Sequence, residues 1–178
     1  MKPNSERYFI KSYRAVPVEL PTFQEIRACF PVNDERTEKR LSDIIEKYRI
    51  LGQIMKLEQP IDDNTKNTLV HLLARANKAK LLAQCLTAEL PLNCRNKFGR
   101  TPLLEACVQG SLDAVKVLLE NGANVNDRGK NENSALHIAS MNDFPEIVLI
   151  LLEYKAEITT KNFKGMNSIK FAQQHGAV

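Results

Sequence analysis

Residues 99–126 read GRTPLLEACVQGSLDAVKVLLENGANVN, and this pattern predicts two short helices followed by a turn. Thr101 suits the N-cap of the first helix, because its hydroxyl can accept a hydrogen bond from a backbone N–H that has no partner within the helix. Gly110 is expected to end that helix and Ser111 to cap the second one. Gly122 suits the left-handed residue that ends the second helix. The unit is too small to bury its own apolar faces, so it requires neighbours.

The same pattern recurs along the chain at a fixed spacing. The segment TPLLEA starts at residue 101, SALHIA starts at residue 134 and NSIKFA starts at residue 167, so successive copies lie 33 residues apart. An upstream copy, NTLVHL, starts at residue 67 and fits with a spacing of 34. A sequence that matches itself at one period is a repeat array, whose units stack to bury a continuous core.

The repeats resemble those of the ankyrin-repeat family, whose unit has a period of 33 and carries the signature T-P-L-H-x-A. The resemblance covers about residues 61–178. It implies an all-α ankyrin-repeat solenoid, in which helix pairs stack and hairpin-like turns, called fingers below, project from one edge. The repeats are expected at about residues 61–94, 95–128, 129–161 and 162–178, the last of them partial. Either the natural chain ends with half a repeat, or the sequence is a fragment of a longer protein.

The first third of the chain does not follow the repeat. Residues 1–33 are expected to form either an arm folded over the cap or a segment that orders on binding, with strand character at 8–13 and a short helix over 23–29. Residues 34–60 are expected to form a helical N-terminal cap on repeat one, either as one helix or as two with a break near Gly52. An independent helix offered to a partner is the alternative.

Several polar residues are expected to have structural roles. Asn77 and Asp143 suit caps of the second helices of repeats one and three, and Glu146 is expected to reach back to the second of these caps. His137 is the histidine of the repeat signature, which in the family hydrogen-bonds within the turn, whereas His71 lies one position away from that register. The histidines have no Asp, Glu or Cys at a spacing that indicates a general base or a metal ligand.

The sequence contains none of the motifs that would indicate catalysis: no G-x-G-x-x-G, no G-x-x-x-x-G-K-S/T, no H-E-x-x-H and no G-x-S-x-G. We therefore expect a protein that is not an enzyme and that holds no cofactor and no metal. The four cysteines lack C-x-x-C spacing, and Cys85 and Cys107 fall on apolar helix faces, so reduced core thiols are expected. No apolar run approaches the length of a membrane span and no secretory signal begins the chain, so an intracellular protein, cytoplasmic or nuclear, is expected.

The remaining candidate for function is the surface. In the ankyrin family, partners bind the finger tips and the inner face of the first helices, and the resemblance transfers this role to the matching positions here. These positions are Lys97, Phe98, Arg100, Val108, Gln109, Lys130, Asn131, Asn133, Met141, Asn142, Phe163, Lys164 and Met166. For Phe98 and Phe163, packing along neighbouring fingers is the alternative to partner binding.

The fingers of repeats two to four are basic. They carry Arg95, Lys97, Arg100, Arg128, Lys130, Lys161 and Lys164 against two acidic residues, Asp127 and Glu132. Such a strip would attract an acidic partner in a salt-dependent way. A merely solubilising edge is the alternative.

These observations predict a protein–protein interaction module, an adaptor or a regulatory subunit, that binds an acidic or extended segment of another protein. It would be a monomer or a subunit of a hetero-complex. An ankyrin fragment that anchors a larger protein, such as an enzyme or a pathogen effector, is the alternative. Direct nucleic-acid binding is a distant third, because a net charge of +4 is modest for that role.

Overall fold

The structure is a computed structural model that describes residues 19–30, 32, 34–51, 53–87 and 89–176. Its elements in chain order are α1 (Phe23–Arg27), α2 (Glu35–Ile50), a 3-10 helix (Ile54–Glu58), α3 (Leu69–Arg75), α4 (Ala79–Thr87), α5 (Pro102–Gln109), α6 (Leu112–Glu120), α7 (Ala135–Met141), α8 (Pro145–Glu153) and α9 (Ser168–Gln174). Over these ranges the only β-type pairs are two isolated bridges at the bases of fingers. The all-α prediction is confirmed. The strand character at residues 8–13 falls outside the described ranges.

The helices form two layers. The first helices of the repeats, α3, α5, α7 and α9, pack side by side in one layer, and the second helices, α4, α6 and α8, form the other. Each second helix packs on the first helix of its own repeat, and α6 and α8 also pack on the preceding second helix. The helix α2 lies against α4 and so covers the N-terminal end of the second-helix layer. A continuous aliphatic core lies between the two layers.

The repeat can be read from the backbone itself. Every residue with positive φ in the described ranges belongs to one of three series with a spacing of 33. The series are Lys66, Gly99, Glu132 and Gly165 in the fingers, then Asn77, Gly110, Asp143 and Gly176 after the first helices, then Glu89, Gly122 and Lys155 after the second helices. The left-handed ends predicted at Gly110 and Gly122 are confirmed. Residues other than glycine occupy several of these positions, so the pattern of glycines in the sequence does not by itself show the repeat.

The helix α5 begins and ends as its sequence predicts. The Thr101 hydroxyl oxygen accepts a hydrogen bond from the Leu104 N–H at 3.4 Å, and Pro102 occupies the first helical position. Gly110 ends the helix with φ of 73°. The N-caps of the other first helices are Thr68, Ser134 and Asn167, so all four N-caps lie 33 residues apart. The spacing of 34 expected for repeat one is therefore wrong.

The correction places His71 in the same register as His137. Its Nδ1 lies 2.9 Å from the Thr68 hydroxyl, and its Nε2 lies 3.0 Å from the carbonyl oxygen of Arg100. His137 makes the equivalent contacts, with Nδ1 2.8 Å from the Ser134 hydroxyl and Nε2 3.0 Å from a carbonyl oxygen in the next finger. The prediction for His71 was wrong because the first repeat had been aligned one residue too early.

Three expected helix caps are also corrected. Asn77 does not cap α4: its Oδ1 accepts the N–H of Ala114 at 3.0 Å and so caps α6 in the following repeat. Ser111 is the N-cap residue of α6, but its hydroxyl donates to the carbonyl of Arg75 at 3.1 Å. The N-cap of α8 is Phe144 with no side-chain hydrogen bond, so the caps expected from Asp143 and Glu146 are wrong.

The segment before the repeats contains two of the expected features. The helix α1 starts where expected, with a reciprocal capping box between Thr22 and Glu25, and ends two residues early. The helix α2 ends at Ile50 and the 3-10 helix begins at Ile54, which corresponds to the second of the two alternatives. The Tyr48 hydroxyl donates to the carbonyl of Pro21 at 2.5 Å, which ties the segment before α1 to α2.

Candidate functional site

Fingers two and three and the C-terminal ends of α5 and α7 enclose a shallow concavity of about 390 Å³. Eight of the thirteen predicted site residues line it. They are Phe98, Arg100, Val108, Lys130, Asn131, Asn133, Met141 and Asn142. The spacing of 33 brings them together, because it places equivalent finger and helix positions side by side in neighbouring repeats.

The other five predicted residues lie outside this concavity. Lys97, Gln109, Phe163 and Lys164 are exposed, and Met166 is half-buried. The backbone of Phe163 joins fingers three and four, because its N–H donates to the Asn131 carbonyl at 3.1 Å, while its side chain points to solvent.

Finger two is held in shape by a buried asparagine. Asn96 Oδ1 accepts the N–H groups of Phe98 and Arg100 at 2.9 and 3.0 Å, and its Nδ2 donates to Asn67 Oδ1 at 2.9 Å and to Glu105 Oε1 at 2.8 Å. Because each of its polar atoms is satisfied, Asn96 fixes the backbone on which the site residues lie. Asn162 repeats the arrangement in finger four.

Arg100 is held from two sides at the edge of the concavity. Its Nη1 lies 3.4 Å from Oε1 of Glu105, which is buried, and its guanidinium carbon lies 5.4 Å from the centre of the Phe98 ring. The second contact has the geometry of a cation–π interaction. Arg100 and the exposed ring of Phe98 therefore form one pre-arranged group.

Fingers two and three are in close contact. A Cβ added to Gly99 would come within 2.9 Å of the Lys130 Cγ, and Gly99 also has φ of 67°. Across the same gap, Arg95 Nη1 donates to the carbonyls of Gly99 and Arg128 at 2.8 and 2.5 Å. The absence of a side chain at Gly99 thus lets Lys130 approach finger two, beside the concavity.

Fewer of the positive charges in the basic fingers are unpaired than the composition of the fingers predicts. Arg95 pairs with Asp127, Arg100 with Glu105 and Arg128 with Glu132, each at 3.4 Å. The sequence count missed the Arg100 pair because Glu105 lies in α5 and not in a finger. The lysines of fingers two to four have no salt bridge to another described residue; they are Lys97, Lys130, Lys161 and Lys164.

The two signature histidines are structural. His71 and His137 are fully buried, and burial lowers the pKa of both below the ordinary value. Each ring bridges from the start of its own helix to the next finger. The role expected for His137 is confirmed and extends to His71.

The thiols of Cys85 and Cys107 lie in the core, where burial raises the pKa of each to about 12. A thiol with so high a pKa is a poor nucleophile at neutral pH. All four cysteines are free. Cys94 departs from the expected core position, since it is half-buried beside Thr68 and His71.

Among the described residues, no group of three or more His, Cys, Asp or Glu side chains is placed to hold a metal ion. In the same part of the chain, no helix is both long and apolar enough to cross a membrane.

Two residues of the concavity were not anticipated. Gly129 and Ile138 also line it. Ile138 is the fifth residue of the SALHIA segment, at the position that Glu105 occupies in repeat two. Because Ile138 and Glu105 occupy the same position of the repeat, and both side chains point from a first helix towards the fingers, this equivalence could have identified Ile138 from the sequence.

The architecture defines a class of protein: a solenoid of helix pairs with an open surface of fingers and first helices. A family model described as "Ankyrin repeats (3 copies)" matches residues 46–129 and again residues 70–162. The chain belongs to the ankyrin-repeat family, whose repeats are protein-interaction modules.

Three relatives illustrate the similarity. Human BCL-6 corepressor-like protein 1 is 34% identical over 113 residues, which are 63% of this chain and 6% of the relative. Chicken inversin is 26% identical over 62% of this chain and 9% of the relative. The neurogenic locus Notch protein of Drosophila melanogaster is 29% identical over 71% of this chain and 4% of the relative. The chain therefore spans less than a tenth of the length of these proteins.

Proposed function

We propose that this protein is a non-catalytic interaction module, an adaptor or a regulatory subunit, that holds an acidic or extended segment of a partner protein. The observation that carries the proposal is the concavity beside Lys130, into which eight family-type binding positions converge. Membership of a family of interaction modules supports the general part of the proposal, which is that the protein binds another protein. We place the protein inside the cell, a setting that fits its free thiols.

The side chains around the concavity suit an extended peptide. Val108 and Met141 offer apolar contact, and the amides of Asn131, Asn133 and Asn142 can both donate to and accept from a peptide backbone. Lys130 lies at the edge, where an acidic side chain of the partner would meet it. An extended segment leaves its own backbone groups free for these amides.

The lysines of the fingers provide the electrostatic part of the proposal. Lys97, Lys130 and Lys164 are exposed and lie in successive fingers. Charges of one sign along an edge raise the association rate of an oppositely charged partner, and added salt reduces the effect. Arg100 contributes less to such attraction, because Glu105 already pairs with it.

The test is capture of partners from nuclease-treated lysate by wild type and by the variant Lys97→Glu/Lys130→Glu/Lys164→Glu. Arg100 stays in place because its replacement would disturb finger two. A matched control, Lys80→Glu/Lys116→Glu/Lys155→Glu, changes the net charge equally at exposed positions outside the concavity. Circular dichroism checks that all three proteins are folded.

We expect a partner that the control retains and the finger variant loses, with capture by wild type falling as salt rises. Loss from both variants would mean that total charge, and not the finger lysines, governs capture. Capture by all three proteins would show that these lysines are not the binding site.

A second candidate function is favoured by the length comparison. Because the matched segment covers less than a tenth of the three relatives described above, the repeats could anchor a larger protein, such as an enzyme or a pathogen effector. Sequencing of the natural transcript tests this alternative: a reading frame that continues past residue 178 into another domain supports it, and a stop codon after that residue removes it.

A further inference from the structure

Finger three lacks the asparagine that stands at the same position in fingers two and four. By the spacing of 33, Gly129 is the equivalent of Asn96 in finger two and of Asn162 in finger four. The backbone is otherwise alike, because in all three fingers the residue at this position donates its N–H to the carbonyl four residues later, at 3.0, 3.1 and 2.9 Å. The same turn is therefore built in finger three without the amide side chain.

The missing amide leaves two backbone donors of finger three without an acceptor. Asn96 Oδ1 accepts two N–H groups of finger two at 2.9 and 3.0 Å, and Asn162 Oδ1 accepts the equivalent groups of finger four at 3.0 and 3.1 Å. The equivalent donors of finger three are the N–H groups of Asn131 and Asn133, and neither has an acceptor among the described residues. An oxygen beside Gly129 could accept both.

The neighbour of the amide nitrogen also differs in finger three. The Nδ2 atoms of Asn96 and Asn162 each donate, at 2.9 Å, to the side-chain oxygen of an asparagine in the preceding finger. At the position equivalent to those two asparagines, finger two carries Arg100. A Cβ added to Gly129 would lie 3.8 Å from the Arg100 Cγ, so the side chain that is missing here would have projected towards this arginine.

The polar groups around Gly129 are therefore donors and not acceptors. Arginine has no acceptor atom, and the Arg100 guanidinium has one described contact with a carboxylate, from Nη1 to Glu105 at 3.4 Å. Glu105 is itself an acceptor for the amide in finger two, but its equivalent in repeat three is the apolar Ile138. A group that satisfies these donors needs two acceptor oxygens, and a carboxylate supplies them.

The space beside Gly129 opens into the concavity. Gly129, Arg100, Asn131 and Asn133 all line it, and Lys130 lies at its edge. The added Cβ would have no heavy atom closer than 3.8 Å, so the space that an asparagine side chain would enter is accessible to a ligand.

We propose that this space receives a carboxylate side chain, an Asp or Glu of the bound segment. One oxygen accepts the N–H groups of Asn131 and Asn133, as the asparagine oxygens do in the neighbouring fingers, and the other accepts from the guanidinium of Arg100. Asn and Gln are disfavoured, because their NH2 group would meet the guanidinium without an acceptor. The inference rests on the function proposed above and assigns one acidic residue of the segment to one place in the concavity.

The test is a titration followed by two-dimensional NMR of the backbone amides. The probe is N-acetyl-aspartate N-methylamide, compared with its asparagine analogue and with N-acetylalanine, which offers only a terminal carboxylate. The variant Gly129→Asn supplies finger three with an amide of its own, and it is expected to fold because the added Cβ has open space. Gly122→Asn is the matched control outside the concavity, where φ of 87° suits asparagine and no atom lies within 4 Å of the added Cβ.

We expect saturable shifts of the Asn131 and Asn133 amide signals with the aspartate compound, at roughly millimolar concentration. Binding should be at least about tenfold weaker for the asparagine analogue, for N-acetylalanine and for the variant Gly129→Asn, because charge-assisted hydrogen bonds are lost or already replaced. Gly122→Asn should bind as wild type does. Independently of any ligand, Gly129→Asn should slow hydrogen exchange at the two amides.

Four results would each overturn the proposal: no saturable binding of the aspartate compound, equal binding of its asparagine analogue, tighter binding of N-acetylalanine, or unchanged binding by Gly129→Asn. Hydrogen exchange in the wild type adds a further check. Exchange at Asn131 and Asn133 as slow as at Phe98 and Arg100 would show that an acceptor is already in place, which also overturns the proposal.

Capture from lysate separates this inference from the proposed function. A partner that depends on the finger lysines but is still captured by Gly129→Asn would leave the interaction module in place and overturn the carboxylate site. Carboxylate binding at Asn131 and Asn133 without any captured partner would leave the site in place and count against the module.

Discussion

Gly110 lies directly against the aromatic ring of Phe144, the residue that starts the second helix of the following repeat. A Cβ added at Gly110 would come within 2.8 Å of the ring carbon Cζ, and the glycine has φ of 73°. The position therefore combines a left-handed backbone with a close contact between repeats. The left-handed backbone disfavours a side chain here, and the contact with Phe144 leaves no room for one unless the ring moves.

Gly110→Ala should therefore destabilise the protein on two counts. The left-handed conformation costs about 1–2 kcal/mol for a residue with a Cβ, and crowding against Phe144 adds about 1–3 kcal/mol. Gly122→Ala is the matched control, because its φ of 87° is also left-handed and no atom lies within 4 Å of the added Cβ. Urea unfolding measures both variants. Equal losses of stability would show that the ring moves away at no cost.

The buried carboxylate of Glu105 makes a second prediction. It accepts from Asn96 Nδ2 at 2.8 Å and pairs with Arg100. Glu105→Ala leaves one N–H of the buried Asn96 amide without its acceptor, while the other still donates to Asn67, so we expect a loss of about 1–3 kcal/mol in unfolding free energy. Glu46→Ala removes an exposed pair with Arg49 on α2 and should cost less than about 0.5 kcal/mol.

Urea unfolding of these two variants separates buried from exposed pairing. A Glu105→Ala variant as stable as Glu46→Ala would contradict the role assigned to the network in finger two. Glu105→Gln keeps a side-chain oxygen for Asn96, so it should retain more stability than the alanine variant.

Asn77 supplies a cap across repeats, and its loss should be visible at one amide. Asn77→Gly keeps a residue that tolerates φ of 53° and removes the side-chain oxygen that accepts the Ala114 N–H. We expect a loss of about 1 kcal/mol, the typical net contribution of one protein hydrogen bond. Hydrogen exchange followed by NMR should show faster exchange at Ala114. Unchanged protection of that amide would mean that the hydrogen bond contributes nothing to α6.

The repeat stack could be predicted because its signals are local. Thr101, Gly110 and Gly122 mark the ends of two helices in one unit, and the period of 33 extends that unit to its neighbours. The surface positions follow from the same period. For this reason eight of the predicted residues meet at one concavity.

The contacts between repeats could not be predicted from one unit. Asn77 looked like a cap for its own α4, and only the packing of repeats one and two shows that its amide reaches α6. Glu105 looked like an ordinary helix residue, yet its carboxylate neutralises Arg100 in the finger. Asp143 takes the left-handed position that Gly110 holds in the previous repeat, and the N-cap position of α8 falls one residue later, at Phe144. The Asn77 error arises because its partner, Ala114, lies in the next repeat.

The two buried histidines predict a loss of stability in mild acid. Burial lowers the pKa of His71 and His137 in the folded state, whereas an unfolded histidine titrates near about 6.5. Below that pH the unfolded chain binds more protons than the folded one, so protonation favours unfolding. The stability that the neutral rings provide is complete above about pH 6.5 and falls as the pH drops towards the folded-state values, by at most about 1.4 kcal/mol per pH unit for each histidine.

Urea midpoints at pH 7.5, 6.5 and 5.5 measure this dependence above the range in which ordinary carboxylates titrate. We expect the midpoint to fall between pH 6.5 and 5.5, and to fall less in His137→Gln, which leaves His71 as the remaining buried histidine. The glutamine variant will be less stable at every pH, because it loses the bond from Nε2 to the carbonyl of Met166. The informative quantity is therefore the slope with pH and not the absolute midpoint. A wild-type midpoint that stays constant from pH 7.5 to 5.5 would mean that both rings accept a proton inside the fold, and that the bridges from helix to finger tolerate a charged imidazolium.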